Sequence, residues 1–193
     1  MYPAWTPVQA KSNSREILLQ LDKRTISLRE GGKVLDSWPV AIGDPSTPTP
    51  VGRFLVQNKV VNPKYQSTKS GKINATVGPN GPLGDRWLGF QKSGLNQYGI
   101  HGTPDAWSWT VTSRAAVTNG CVRMLHEHVH SLFDQVEVGT PVIVQRRSQP
   151  VVGKYSGDQP SFGRKLGLSA YFVRPKQGMR PFDCVYVCGS PLQ

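Results

Sequence analysis

Thr118-Asn119-Gly120-Cys121-Val122-Arg123-Met124 decides the reading of this chain, together with Ile100-His101-Gly102-Thr103, whose histidine lies twenty positions before the cysteine. The two segments supply a soft nucleophile, a candidate base and a permanent cation. An unperturbed thiol titrates at ~8.5, so only a few per cent is thiolate at neutral pH. An imidazole within reach of Cys121 can take its proton and later return it to a leaving amine. Gly120 leaves the backbone open to a close approach, and amides around Gly120 and Cys121 are candidates to face a developing oxyanion. The plainer alternative is a buried structural cysteine beside an unrelated surface histidine.

Working outward, Tyr98-Gly99-Ile100-His101-Gly102 reads as a short strand that delivers His101 at its end, and Trp87-Leu88-Gly89-Phe90 as another. Upstream, residues 16–21 and 25–28 look like two strands joined by a turn at Asp22-Lys23-Arg24. Residues 33–42 read as a third strand, with Pro39 marking an edge or bulge. Gly43 to Gly52 holds three prolines and reads as a stiff loop; 53–61 resumes strand character. The polar stretch 62–80 is long enough to be a functional loop or an excursion. Downstream, Val129, Leu132, Phe133 and Val136 fall at i, i+3, i+4 and i+7, which predicts a helix from near His126 to just before Gly139. Pro141 to Gln145 reads as a final strand. Past Arg146 the periodicity fades, leaving apolar islands at 170–173 and 184–188.

Composition bounds the class. The chain has 193 residues with 20 Gly and 16 Pro, which suits a turn-rich, mainly β domain with a real core. The net charge of +11 favours an anionic polymer or surface. It is spread out, +6 over residues 1–146 and +5 over 147–193, and no nucleic-acid recognition motif accompanies it. There is no apolar run of transmembrane length. Met1 to Ser14 lacks the apolar centre of a secretory signal. Three cysteines is an odd number, so at least one has no partner within the chain. On a straight strand Cys184 and Cys188 would sit about 13 Å apart, too far for a disulfide, and two thiols in an ill-defined tail are expected. Asn74-Ala75-Thr76 matches a glycosylation sequon by pattern only.

Several motifs stand in one order: Pro39-Val40-Ala41-Ile42-Gly43, then Thr47-Pro48-Thr49-Pro50-Val51-Gly52-Arg53-Phe54, Asn62-Pro63, Pro82-Leu83-Gly84, His101-Gly102-Thr103, the Cys121 segment, and Val138-Gly139-Thr140-Pro141-Val142. Over roughly residues 15–146 this series resembles the L,D-transpeptidase catalytic domain of the YkuD type. That family's pattern is a His-Gly-Thr strand end, a variable segment, then Ser/Thr-His-Gly-Cys, an aliphatic residue and Arg. One position departs from it: Asn119 stands where the family usually has His, and keeps the main-chain carbonyl that is expected to help orient the imidazole.

The resemblance implies a mainly β, sandwich- or barrel-like catalytic domain with one or two short helices. Residues 1–14 would be a lead-in and 147–193 a C-terminal extension. Cys121 would be the nucleophile, His101 the proton donor and acceptor, and Arg123 the group that orients or polarises the site. The Gly120 backbone would belong to the oxyanion region. The Thr118 hydroxyl would either orient His101 or make an ordinary loop bond. Gly102 and Thr103 would contact substrate; Trp107 and Trp109 would wall the site or simply pack, with Tyr65 and Lys64 as weaker candidates. The implied substrate is the stem peptide of peptidoglycan, joined 3→3 through a thioester. The alternatives are an L,D-carboxypeptidase that uses water and a wall-binding module without turnover. No cofactor is implied, a monomer is favoured, and the cell envelope follows from the substrate.

His126-Glu127-His128-Val129-His130 matches the H-E-x-x-H zinc pattern. That pattern needs both histidines inside one helix and a third ligand. His126 falls at the expected helix start and no distal histidine is left except His101, so surface histidines and no metal are expected.

Overall fold

Alternation makes the first hairpin. Arg15–Gln20 (β1) and Thr25–Glu30 (β2) pair antiparallel, and their every-other residues Ile17, Leu19, Ile26 and Leu28 are fully buried. Lys33–Pro39 (β3) adds to β2. The expected strand 33–42 is in fact two. It stops at Pro39, which has no amide to donate, and resumes as Ile42–Gly43 (β4). The expected strand 53–61 is also two, Gly52–Leu55 (β5) and Asn58–Val61 (β6), which lie in different sheets. Val56, 1% exposed, anchors the crossing between them.

The stretch read as a loop holds a short polar hairpin, Lys64–Ser67 (β7) with Ile73–Asn74 (β8). Arg86–Ser93 (β9) and Asn96–His101 (β10) follow. A 3-10 turn, Asp105–Trp107, leads into the short helix Ser108–Thr112 (α1). Ala116–Thr118 (β11) and Val122–Arg123 (β12) flank the cysteine; then come His126–Gln135 (α2), Pro141–Gln145 (β13) and Val185–Cys188 (β14).

These elements come from a computed structural model that describes residues 15–68, 70–147 and 185–188. The expected lead-in 1–14, the island 170–173 and Cys184 lie outside the described residues. Cys188, expected in an ill-defined tail, belongs to a strand: β14 pairs antiparallel with both β7 and β10.

The fold is mainly β. One sheet runs β3-β2-β1-β13-β5, with β1 and β13 parallel and Ile17 opposite Val142. The second runs β6-β9-β10-β14-β7-β8, and β12 pairs with β10. Ile17, Leu28 and Val144 of the first sheet share one core with Leu88, Phe90 and Ile100 of the second.

Helix α2 completes that core. Val129, Leu132, Phe133 and Val136 are buried, as their spacing predicts. Ten residues are too few for a helix to persist alone; burying each such side chain contributes about 1.5–3 kcal/mol and holds it in place. The helix ends at Gln135, earlier than expected. The Lys59 ammonium donates to the carbonyls of Phe133 (2.8 Å) and Val136 (2.6 Å), satisfying acceptors that a helix terminus leaves open. Among the described residues no helix is long and apolar enough to cross a membrane.

Candidate active site

The decisive pairing is β10 with β12. They run parallel, Ile100 opposite Val122 and His101 opposite Arg123. Because Cys121 immediately precedes β12, one register brings thiol, imidazole and guanidinium to the same strand end. The Met124 amide donates to the His101 carbonyl (2.9 Å), and Arg123 exchanges both backbone bonds with Ala41.

A cavity of about 260 Å³ opens there. Of the residues expected at the site, His101, Trp107, Thr118, Asn119, Cys121 and Arg123 line it. Tyr65, a weaker candidate, joins them, with Asn74 and with Pro82 and Leu83 of the motif series, and none of these three was expected to line the site. Gly102 and Thr103, expected to contact substrate, are buried behind the strand end and do not line the cavity. Trp109, 57% exposed, lies off the cavity, as does Lys64. The helix α1 carries Trp109 away from Trp107, a turn invisible in the sequence pattern.

His101 is only 2% exposed. Its Nδ1 lies 2.6 Å from the Gly102 carbonyl. A carbonyl can only accept, so Nδ1 carries the proton and Nε2 keeps its lone pair. Trp87, directly opposite on β9, stacks on the ring with centroids 5.9 Å apart, and its indole donates to Asn58 Oδ1 (3.0 Å). Burial, reinforced by the Arg123 charge, pushes the imidazole down to about 3 against hydrogen bonds to the backbone of Gly102 and Leu83. His101 is therefore neutral at physiological pH.

This has a measurable consequence. In the unfolded chain the imidazole titrates at the ordinary 6.5, and in the native one only near 3. Between those values the unfolded chain holds a proton that the native chain does not. Stability is full above pH 6.5 and falls as the pH drops toward 3, by up to about 1.4 kcal/mol per pH unit from this group. His101→Gln is expected to lose that increment in urea melts run from pH 7 to 4. An unchanged slope would show that His101 is not held neutral.

Arg123 is lowered by burial, while Cys121 and Tyr65 pull it back up; its guanidinium lies 5.1 Å from the centre of the Trp107 ring. Cys121 is 3% exposed, and its Sγ donates weakly to the Gln97 carbonyl at 3.7 Å.

The cysteine turn is braced by residues far away in sequence. Thr118 Oγ1 donates to the Cys121 carbonyl (2.6 Å) and accepts from the Gly120 amide (3.2 Å). The hydroxyl thus holds the turn rather than orienting His101, and the Gly120 amide is engaged there rather than facing an oxyanion. The Thr-Pro-Thr-Pro loop supports the turn from behind: Thr47 Oγ1 and the Asp44 amide both donate to the Thr118 carbonyl at 2.9 Å. Gly120 sits at φ +99°, and a Cβ there would lie 2.7 Å from the Tyr98 ring. Only glycine meets both conditions without displacement.

A parallel strand pair thus presents Cys121, His101 and Arg123 to one cavity in a mainly β domain. The chain belongs to the L,D-transpeptidase catalytic domain (YkuD) family, whose sequence pattern it matches over residues 14–144. It is 39% identical over 129 residues to the "Putative L,D-transpeptidase YqjB" of Bacillus subtilis, covering 64% of this chain and 68% of that protein. It is 28% identical over 127 residues to "L,D-transpeptidase 1" of Mycobacterium tuberculosis, covering 64% of this chain and 47% of that one. The fold matches an L,D-transpeptidase from Mycobacterium smegmatis with a TM-score of 0.54 at 23% identity, over 68% of this chain and 58% of the other. The chain thus spans about two thirds of the Bacillus relatives and about half of the mycobacterial one.

Proposed function

We propose that this domain is a cysteine-dependent L,D-transpeptidase that cross-links peptidoglycan stem peptides. The observation that supports it best is the β10–β12 register, which sets Cys121, His101 and Arg123 around one cavity. Cys121 Sγ attacks the carbonyl that joins the third stem residue, usually diaminopimelate, to D-alanine, and its proton passes to His101 Nε2. The C–N bond breaks, the same proton goes to the departing amine, and a thioester remains. The side-chain amine of a second stem attacks that carbonyl. The C–S bond breaks and the proton from the attacking amine returns through His101 to sulfur. A neutral imidazole suits the first step, since it begins with the lone pair available. Arg123 steadies the negative charge that builds during each attack. The net charge of +11 favours an anionic wall polymer, and the substrate places the protein in the cell envelope.

The test is to incubate the full chain with a disaccharide-tetrapeptide ending in D-alanine and follow products by mass spectrometry. D-Alanine release with a 3→3 dimer, and a tripeptide acyl mass on Cys121, is the expected result. Tripeptide without dimer assigns water as acceptor, a carboxypeptidase. Sedimentation with sacculi but no D-alanine release would overturn the enzyme in favour of a wall-binding module.

A further inference from the structure

Behind the strand end that carries His101, three ligand-type side chains converge from two elements. Helix α2 supplies His126 and His130, one turn apart on one face; the turn before β9 supplies Asp85. Their ligand atoms all lie within 4.8 Å of one another. His130 Nε2 is 2.7 Å from Asp85 Oδ2, and His126 Nδ1 is 3.1 Å from Asp85 Oδ1. The two imidazole rings meet edge-on with centroids 5.8 Å apart.

We propose that Asp85, His126 and His130 form a zinc-type divalent cation site that braces the backbone behind His101. The carboxylate is the first argument. Asp85 is only 8% exposed, yet its Oδ1 makes no hydrogen bond. His126 is the second: neither of its sheltered ring nitrogens makes one either. Nδ1 and Oδ1 face each other at 3.1 Å without hydrogen-bond geometry, an arrangement that a cation between them resolves. A tetrahedral zinc with bonds of ~2.0–2.1 Å would hold its ligand atoms ~3.4 Å apart, so the His130–Asp85 pair, now 2.7 Å apart, opens and the widest pair, within 4.8 Å, closes. Two imidazoles and one carboxylate suit zinc far better than magnesium or calcium.

The neighbourhood fits a bracing role rather than a hydrolytic one. Arg86 Nη1 holds Asp85 Oδ2 at 3.0 Å, the kind of outer contact that fixes a ligating carboxylate. The side chain of Glu127, which would be the base of a zinc hydrolase, is 69% exposed and lies near His128 instead. Gly102 is clasped between the two contributing elements. A Cβ on it would sit 3.6 Å from His126 Nδ1 and 3.4 Å from Gly84 Cα, and a Cβ on Gly84, at φ +63°, would lie 2.7 Å from Gly102 Cα. The Gly102 carbonyl in turn holds His101 Nδ1. A cation joining Asp85 to α2 therefore locks the two walls of the slot in which the His101 backbone runs. The helix pattern alone lacks a third imidazole; the third ligand is the carboxylate of Asp85, from the turn before β9. The two histidines are partly exposed, their side chains 23% and 40% open to solvent, so the expected surface placement holds in part.

The proposal is independent of any activity, and its test reads binding alone. The full chain carrying Cys121→Ala, which removes the cavity thiol as a competing ligand, is stripped of metal. It is then titrated with zinc sulfate by calorimetry and by thermal melts, with magnesium as control. One zinc equivalent that disappears in His130→Gln, and a melting-temperature rise of roughly 5–10 °C at a hundredfold excess over Kd, are expected. His130 is exposed enough for its Gln variant to fold, which its metal-free melt checks. His128→Gln should retain the full response, because that ring packs near Trp38 rather than on Asp85. Equal zinc responses in the parent, His130→Gln and Asp85→Asn, or no zinc response at all, would overturn the site.

Discussion

Cys121→Ala is expected to lower D-alanine release by at least about a thousandfold while leaving the protein folded. A nucleophile that forms the covalent intermediate has no substitute in the cavity, and losses of this order or larger follow from removing one. The fold should survive because the change removes one sulfur from a small, cavity-lining side chain, a loss of about 1 kcal/mol. Intact mass supplies a second readout. After incubation with the disaccharide-tetrapeptide, the parent should carry the tripeptide acyl mass on Cys121 and the alanine variant should not. Residual turnover within tenfold of the parent would remove the thioester from the mechanism.

Gly120→Val is expected to be the most damaging single change to stability near the site, at about 4 kcal/mol. Two costs add. A side chain at φ +99° is strained by about 1–3 kcal/mol, and the new Cβ meets the Tyr98 ring at 2.7 Å, an overpacking of about 1–3 kcal/mol more. Gly43 closes the other side: a Cβ on it would lie 2.9 Å from Gly120 Cα, so the turn cannot simply step back. Urea melts would measure the loss. Adding Tyr98→Ala should recover the steric part and not the backbone part. A double variant no more stable than Gly120→Val would show that the ring is not the obstacle.

What was legible in the sequence follows from what is local. The β1–β2 hairpin and the buried stripe of α2 are written in period two and period 3.6, and the motif series marks His101 and the Cys121 turn. What was missed depends on partners. Residues 53–61 look like one strand because nothing local marks the change of sheet at Val56. The β7–β8 hairpin is polar and short, so it has no apolar period. Trp87 reads as an ordinary strand aromatic until its register opposite His101 makes it a platform. For Thr118 the sequence leaves two roles open, and only the fold supplies the loop bond to the Cys121 carbonyl. Asp85 is a lone acid until the fold carries it to α2.

The parallel pairing of β1 with β13 has a consequence for how the chain assembles. Ile17 and Leu19 meet Val142 and Val144 from the far end of the domain. The first hairpin forms early, yet one edge of β1 has no neighbour until residue 145 has emerged. Such long-range closure slows folding, and meanwhile an apolar strand edge is open to other chains. The domain is therefore expected to close late, with the β1 edge most open to other chains during synthesis.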